Sequence, residues 1–110
     1  MRAVASGARA WLLQRLTAVY MLLFLVLVLA RFAADAPSTY EAWRNWVAAA
    51  GMRVAILLFV AAVLLHAWVG LRDVAMDYVH PPALRIGVLA LVSAGLAAAG
   101  AWMALVLVAL

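Results

Sequence analysis

The sequence contains no cysteine, so the chain by itself forms no disulfide, no thiolate-held zinc site and no iron–sulfur cluster; any such centre belongs to a partner. Lysine is absent too, and the net charge of +4 rests on arginine alone. Those arginines stand at the ends of apolar runs and form no basic patch, which excludes the kind of face that reads nucleic acid through phosphates and bases. Charge of either sign is scarce: 11% of the 110 residues are charged and 73% hydrophobic, against roughly half apolar and about a quarter charged in soluble domains. Small soluble domains bury only about 60% of the surface their unfolded chains expose. The surplus apolar area must therefore face lipid. No Gly-rich phosphate loop, no cluster of histidines and carboxylates and no serine or cysteine with a partner base is present, so the chain alone is neither a hydrolase nor a nucleotide-driven machine. There is no internal repeat and no low-complexity linker.

What remains is three apolar stretches. Leu16 to Ala30 lies between Arg15 and Arg31, Val54 to Leu71 between Arg53 and Arg72, and Ile86 to Leu110 carries no charge at all. A bilayer core needs about 20 helical residues, and the shortest run reaches that when Trp11 to Leu13 and Phe32 to Ala34 extend it and its arginines snorkel. We read a single all-α membrane-anchor domain over residues 1–110, with three transmembrane helices at about 11–34, 47–71 (the helix continuing to about 79) and 86–110. Pro37 disfavours a continuous helix, and Ser38 or Thr39 can cap a short interfacial helix reaching Trp46. Pro81-Pro82 ends the second long helix by about Val79. The first span shares a basic lead-in and small residues near Ala33-Ala34 with secretory leaders; we take it as a retained helix. Ala94 to Ala101, with Gly95 and Gly100, reads as a close-packing face for a neighbouring helix.

Arginine placement orients the chain. Arg2, Arg9 and Arg15 share one side with Arg72 and Arg85, opposite Arg31, Arg44 and Arg53, which predicts the N-terminus and the Pro-Pro loop inside and the C-terminus outside. Trp43, Trp46 and Trp102 then lie towards the outer interface, and Trp11 and Trp68 towards the inner one.

His66 lies inside the second span, about 9 Å below its Arg72 end at 1.5 Å per residue. Ala62 and Gly70 lie one turn away on the same face, leaving room for a flat macrocycle. That suits a haem iron ligand bonded through Nε2, with the other ring nitrogen donating to a backbone carbonyl of the preceding turn. The plainer alternative is a histidine hydrogen-bonded to another helix. His80 is too far along the chain to share one iron with His66, so a second axial ligand must come from another chain, in a hetero-oligomer or a symmetric dimer. Arg15 is either a propionate partner or a snorkelling anchor. Asp73 and Asp77 share a face near the end of the second helix, as a solvated terminus would. Tyr78 is either a hydrogen-bond donor to a quinone carbonyl or a belt aromatic.

His66-Ala-Trp-Val-Gly70, then Asp77-Tyr-Val-His-Pro81 and Ala83-Leu-Arg85, together resemble the hydrophobic membrane anchor subunit of proteobacterial succinate dehydrogenase. Arg15-Leu-Thr-Ala18 and Tyr40-Glu-Ala-Trp43 agree more weakly. The resemblance implies that His66 is one axial ligand of a haem b whose other ligand is a histidine of a companion cytochrome b subunit. It implies also that Arg15 lies near the haem propionates, that Tyr78 hydrogen-bonds ubiquinone at the cytoplasmic end, and that Asp77 belongs to the same quinone-site motif. Family members often carry a lysine where this sequence has His80. The implied setting is the bacterial inner membrane, as part of a multi-subunit haem-binding helix bundle. FAD and the iron–sulfur clusters would sit only on the flavoprotein and iron–sulfur partner subunits, and the complex is open to higher oligomers. The rivals are the anchor of a fumarate reductase, a small transport subunit and a pure scaffold. A transport path wants polar residues along it, and the first and third spans offer only Thr17, Tyr20 and Ser93.

Overall fold

The computed structural model describes the backbone of residues 2–110 and the side chains from Gly7 onward; Arg2, used above for orientation, lies outside the described side chains. Four helices follow one another: α1 (Arg2–Asp35), α2 (Tyr40–Ala48), α3 (Ala50–Tyr78) and α4 (Pro82–Ala109). Among the described residues there is no strand. Three helices are long and apolar enough to cross a membrane: Gly7–Asp35, Ala50–Tyr78 and Pro82–Ala109. At 1.5 Å per residue each exceeds the hydrocarbon core of about 30 Å by several residues at its ends.

The breaks follow local chemistry. Asp35 ends α1 just before Pro37. Thr39, in extended conformation, caps α2, its Oγ1 accepting the Ala42 N–H at 3.1 Å. Thr39, rather than Ser38, is therefore the cap. Ala49 in extended backbone separates α2 from α3. At the far end Val79 leaves helical geometry, Pro81 is extended, and Pro82 opens α4 where its missing N–H is not needed. The last carbonyls of α3 have no donors of their own helix. Arg85, one turn into α4, reaches back to them: Nε donates to the Val79 carbonyl at 2.9 Å and Nη2 to that of Met76 at 3.2 Å.

α3 is the central element, packed against α1, α2 and α4. Little is buried: among the described residues Val47, Ala62, Val69, Ala75, Leu107 and Thr17 make up the enclosed set, and no large side chain is fully covered. Leu22, Leu29, Leu91 and Val108 all stand open. Water would penalise such a surface; lipid or partner helices do not. Packing between spans is carried by close approach and aromatic contact. A Cβ on Gly100 would lie 2.7 Å from Leu64 Cδ1, so α4 meets α3 closely there, whereas Gly95 has nothing within 4 Å. The small-residue segment of α4 therefore packs on α3 at one end only. Phe24 stacks on Phe59 at 4.5 Å between α1 and α3, and the Tyr20 hydroxyl donates to the Ala55 carbonyl at 2.7 Å.

Candidate functional site

α1 and α3 meet through polar groups at the depth of His66, in the half of the bundle nearer the Pro-Pro loop. The face of α3 bearing Ala62, His66, Val69 and Gly70 turns towards α1, as the burial of Ala62 and Val69 requires. Opposite His66 stand Gln14 and Thr17, one turn apart on α1. Thr17 Oγ1 lies 3.1 Å from His66 Nδ1, and Gln14 Nε2 lies 3.4 Å from His66 Nε2. The ring nitrogen Nδ1 thus meets a hydroxyl of the neighbouring helix, and not the backbone carbonyl of its own preceding turn expected above. Thr17 is 7% exposed and pressed into the α1–α3 seam, whereas the carbonyls of the turn before His66 lie within the continuous helix α3 and already accept from its own N–H groups.

The space left by small residues is shared. A Cβ on Gly70 would sit 3.6 Å from the Gln14 amide nitrogen, so the glycine accommodates Gln14. Ala62 borders a lateral groove of about 260 Å3 with Leu16, Thr17, Tyr20, Leu58 and Leu65. A second hollow of about 260 Å3 opens at the Arg72 end, walled by Trp11, Gln14, Val69, Arg72 and Asp73. Gln14 Oε1 is buried without a hydrogen-bond partner, an unmet acceptor between the histidine and this hollow.

The remaining predicted residues are spread along the same end of the molecule. Arg15, next to Gln14, is exposed, with its guanidinium 5.4 Å from the Trp11 ring centre. Arg72 is within 3.7 Å of Asp73. Asp77, Tyr78 and His80 are exposed at the end of α3, with the Tyr78 ring 76% open. Twelve residues of helix separate Tyr78 from His66, about 18 Å along the axis, so the two belong to separate sites. The structure brings His66 together with Thr17 and Gln14; it does not bring it together with Asp77, Tyr78 or His80. Gln14 was missed from the sequence, although its one-turn spacing from Thr17 at the start of an apolar run was a usable signal.

Chemically, the arrangement offers one imidazole with an orienting hydroxyl. Among the described residues no three His, Cys, Asp or Glu side chains gather around a bare metal ion. A metal centre at His66 would thus need further ligands from a macrocycle and another chain. The hydroxyls that a conduction path would need are engaged within the protein: Thr17 bonds to Leu13 and Gln14 carbonyls, Tyr20 to that of Ala55 and Ser93 to that of Ala90.

Comparison with known proteins bears on the whole chain. Over 91 residues it is 29% identical to the succinate dehydrogenase hydrophobic membrane anchor subunit of Coxiella burnetii (strain RSA 493 / Nine Mile phase I), covering 83% of this chain and 79% of that protein. The family model described as succinate dehydrogenase/fumarate reductase transmembrane subunit matches residues 2–110. With three apolar helices long enough to span and a match running almost end to end, the chain belongs to the succinate dehydrogenase/fumarate reductase transmembrane subunit family.

Proposed function

We propose that this chain is the membrane anchor of a bacterial succinate dehydrogenase and that, beyond tethering, it supplies half of a haem b site and part of a ubiquinone-reduction site. It would hold the flavoprotein and iron–sulfur subunits to the inner membrane, with its N-terminus cytoplasmic, and share the haem with a companion cytochrome b subunit. The observation that carries the haem reading is the donor set at His66: an intramembrane imidazole whose Nδ1 faces a buried hydroxyl at 3.1 Å. Metal-bound histidines are usually held this way, through the nitrogen that does not touch the metal. The hollow beside Gln14 adds polar room at the Arg72 end of α3. On this reading His66 would be the axial ligand once Gln14, which faces its Nε2 at 3.4 Å, swings aside, and Arg15 would pair with a propionate.

The haem, when bound, supplies a one-electron store beside the route from the iron–sulfur subunit. Quinone is the electron acceptor, and its reduction to quinol takes up two electrons, delivered from succinate through the partner subunits, and two protons. Tyr78, at the cytoplasmic end of α3, would donate its O–H to a quinone carbonyl as negative charge develops on that oxygen. Asp77, beside it, keeps a carboxylate at the mouth of the same site.

A second reading has its own support. The two contacts that His66 makes with α1 are also what a purely structural histidine would make. An absorption spectrum of the purified complex separates them: the b-type low-spin signal is expected in the natural protein and lost in His66→Ala. An unchanged spectrum in that variant would make His66 a helix-pairing residue and the chain a tether.

A further inference from the structure

We propose that Thr17 is a positioning residue that fixes the tautomer of His66, holding the proton on Nδ1 and the lone pair on Nε2, where the Gln14 amide faces it at 3.4 Å and a metal would displace that amide; this rests on the haem reading above. The argument is one of proton counting. A threonine hydroxyl has a single proton and two lone pairs. Thr17 Oγ1 has the Leu13 carbonyl at 2.8 Å and the Gln14 carbonyl at 3.1 Å, the back-bonding geometry common for threonine in helices. Carbonyl oxygens only accept, so the proton goes to the shorter contact. Facing Nδ1 at 3.1 Å, Oγ1 is left with lone pairs, and the proton in that contact must come from the imidazole. A neutral ring with Nδ1 protonated has its lone pair on Nε2.

Gln14 is consistent with this and does not decide it. Its amide nitrogen, a donor, faces Nε2 at 3.4 Å, which is long for a hydrogen bond and weaker than the Thr17 contact. Its carbonyl oxygen is the buried atom without a partner. Were the amide turned over, that oxygen would accept from a protonated Nε2, and Thr17 would have to give up its carbonyl to donate to Nδ1. The two arrangements differ in which nitrogen can bind metal. The short Leu13 contact selects the first.

Ring-nitrogen NMR of the full chain, 15N-labelled at histidine, reads the tautomer directly and needs no substitution. Protonated Nδ1 is expected for His66, and protonated Nε2 would overturn the proposal. In the assembled complex, Thr17→Val removes the hydroxyl while keeping the shape, and Thr17→Ser keeps the hydroxyl. Loss of a partner of this kind typically weakens metal affinity by about 10- to 100-fold. Thr17→Val should therefore lower haem retention by about that factor, alter the low-spin electron paramagnetic resonance signal and raise the midpoint potential, while Thr17→Ser restores all three. If His66→Ala abolishes the signal while Thr17→Val leaves retention, signal and potential unchanged, the Thr17 role falls and the haem reading stands. If His66→Ala keeps the signal, the haem reading itself fails. Should Thr17→Val not assemble, the NMR tautomer still decides.

Discussion

Tyr78 closes α3 with its ring largely open, and its hydroxyl makes no hydrogen bond among the described residues. An interfacial tyrosine that served only to anchor would lose little on becoming phenylalanine, because the ring carries the packing. A donor aimed at developing charge loses its whole contribution. Tyr78→Phe is therefore expected to lower the rate of quinone reduction on the order of 100-fold, as loss of one oxyanion donor does, while succinate oxidation with a water-soluble dye is retained. Equal rates with both acceptors would return Tyr78 to the aromatic belt. At this scale the sequence was informative about which residues are chemically out of place, since an imidazole at membrane depth is rare and stands out. About partners it offered one weak signal, the one-turn spacing of Gln14 and Thr17 on α1; the rest of that helix is apolar nearly all round and shows little of which face meets His66.

Among the elements, the junction of α3 and α4 bears most directly on the proposed quinone site. Pro81 and Pro82 stop α3, but they leave its final carbonyls open. Arg85 reaches from the next helix to the carbonyl of Met76 and to that of the C-cap Val79, tying the end of α3 that carries Asp77 and Tyr78 to the start of α4. A hydrogen bond from a charged donor contributes about 1.5–3 kcal/mol, less where water competes. For half-exposed Arg85 we expect Arg85→Gln to cost about 1 kcal/mol of local stability, read as roughly fivefold faster amide exchange at Val79, whose N–H closes the last turn on Ala75. Exchange unchanged from the natural protein would show that the prolines alone hold the junction. The three long helices were legible from charge-free runs, and the short α2 from Thr39 ahead of Tyr40-Glu-Ala-Trp43. The Arg85 cap was not, because it joins two elements across a turn, and span-boundary arginines look alike in sequence whether they snorkel or cap. The α4 packing face was half legible: Gly100 meets α3 and Gly95 does not, a distinction set by the crossing point of two helices and not by composition.

For the molecule as a whole, the functional reading depends on which way it sits in the membrane. Three spans put the chain ends on opposite sides, so one orientation fixes everything else: the Pro-Pro loop, Asp77, Tyr78 and His80 share a side with the beginning of α1, and α2 lies on the other. On the proposed function, electrons from succinate would reach the membrane on the cytoplasmic side, and a quinone site near Tyr78 would receive them at short range only if that loop is cytoplasmic. The arginine count favours this by Arg2, Arg9, Arg15, Arg72 and Arg85 against Arg31, Arg44 and Arg53. Two members of the minority have local roles: Arg31 lies 3.9 Å from Asp35, and Arg44 donates to the Leu110 carbonyl at 3.0 Å. Neutralising Arg72 alone should leave orientation unchanged, because Arg9, Arg15 and Arg85 still hold the inner side. A reporter active only in the periplasm, fused after Leu110, should be active in the natural chain and in Arg72→Gln, while the same reporter inserted at His80 should be silent. Activity at His80 would reverse the molecule. Tyr78 would then lie a full membrane thickness, about 30 Å, from the side where electrons enter, and the quinone role assigned to it would have to be withdrawn even if His66 still ligated haem.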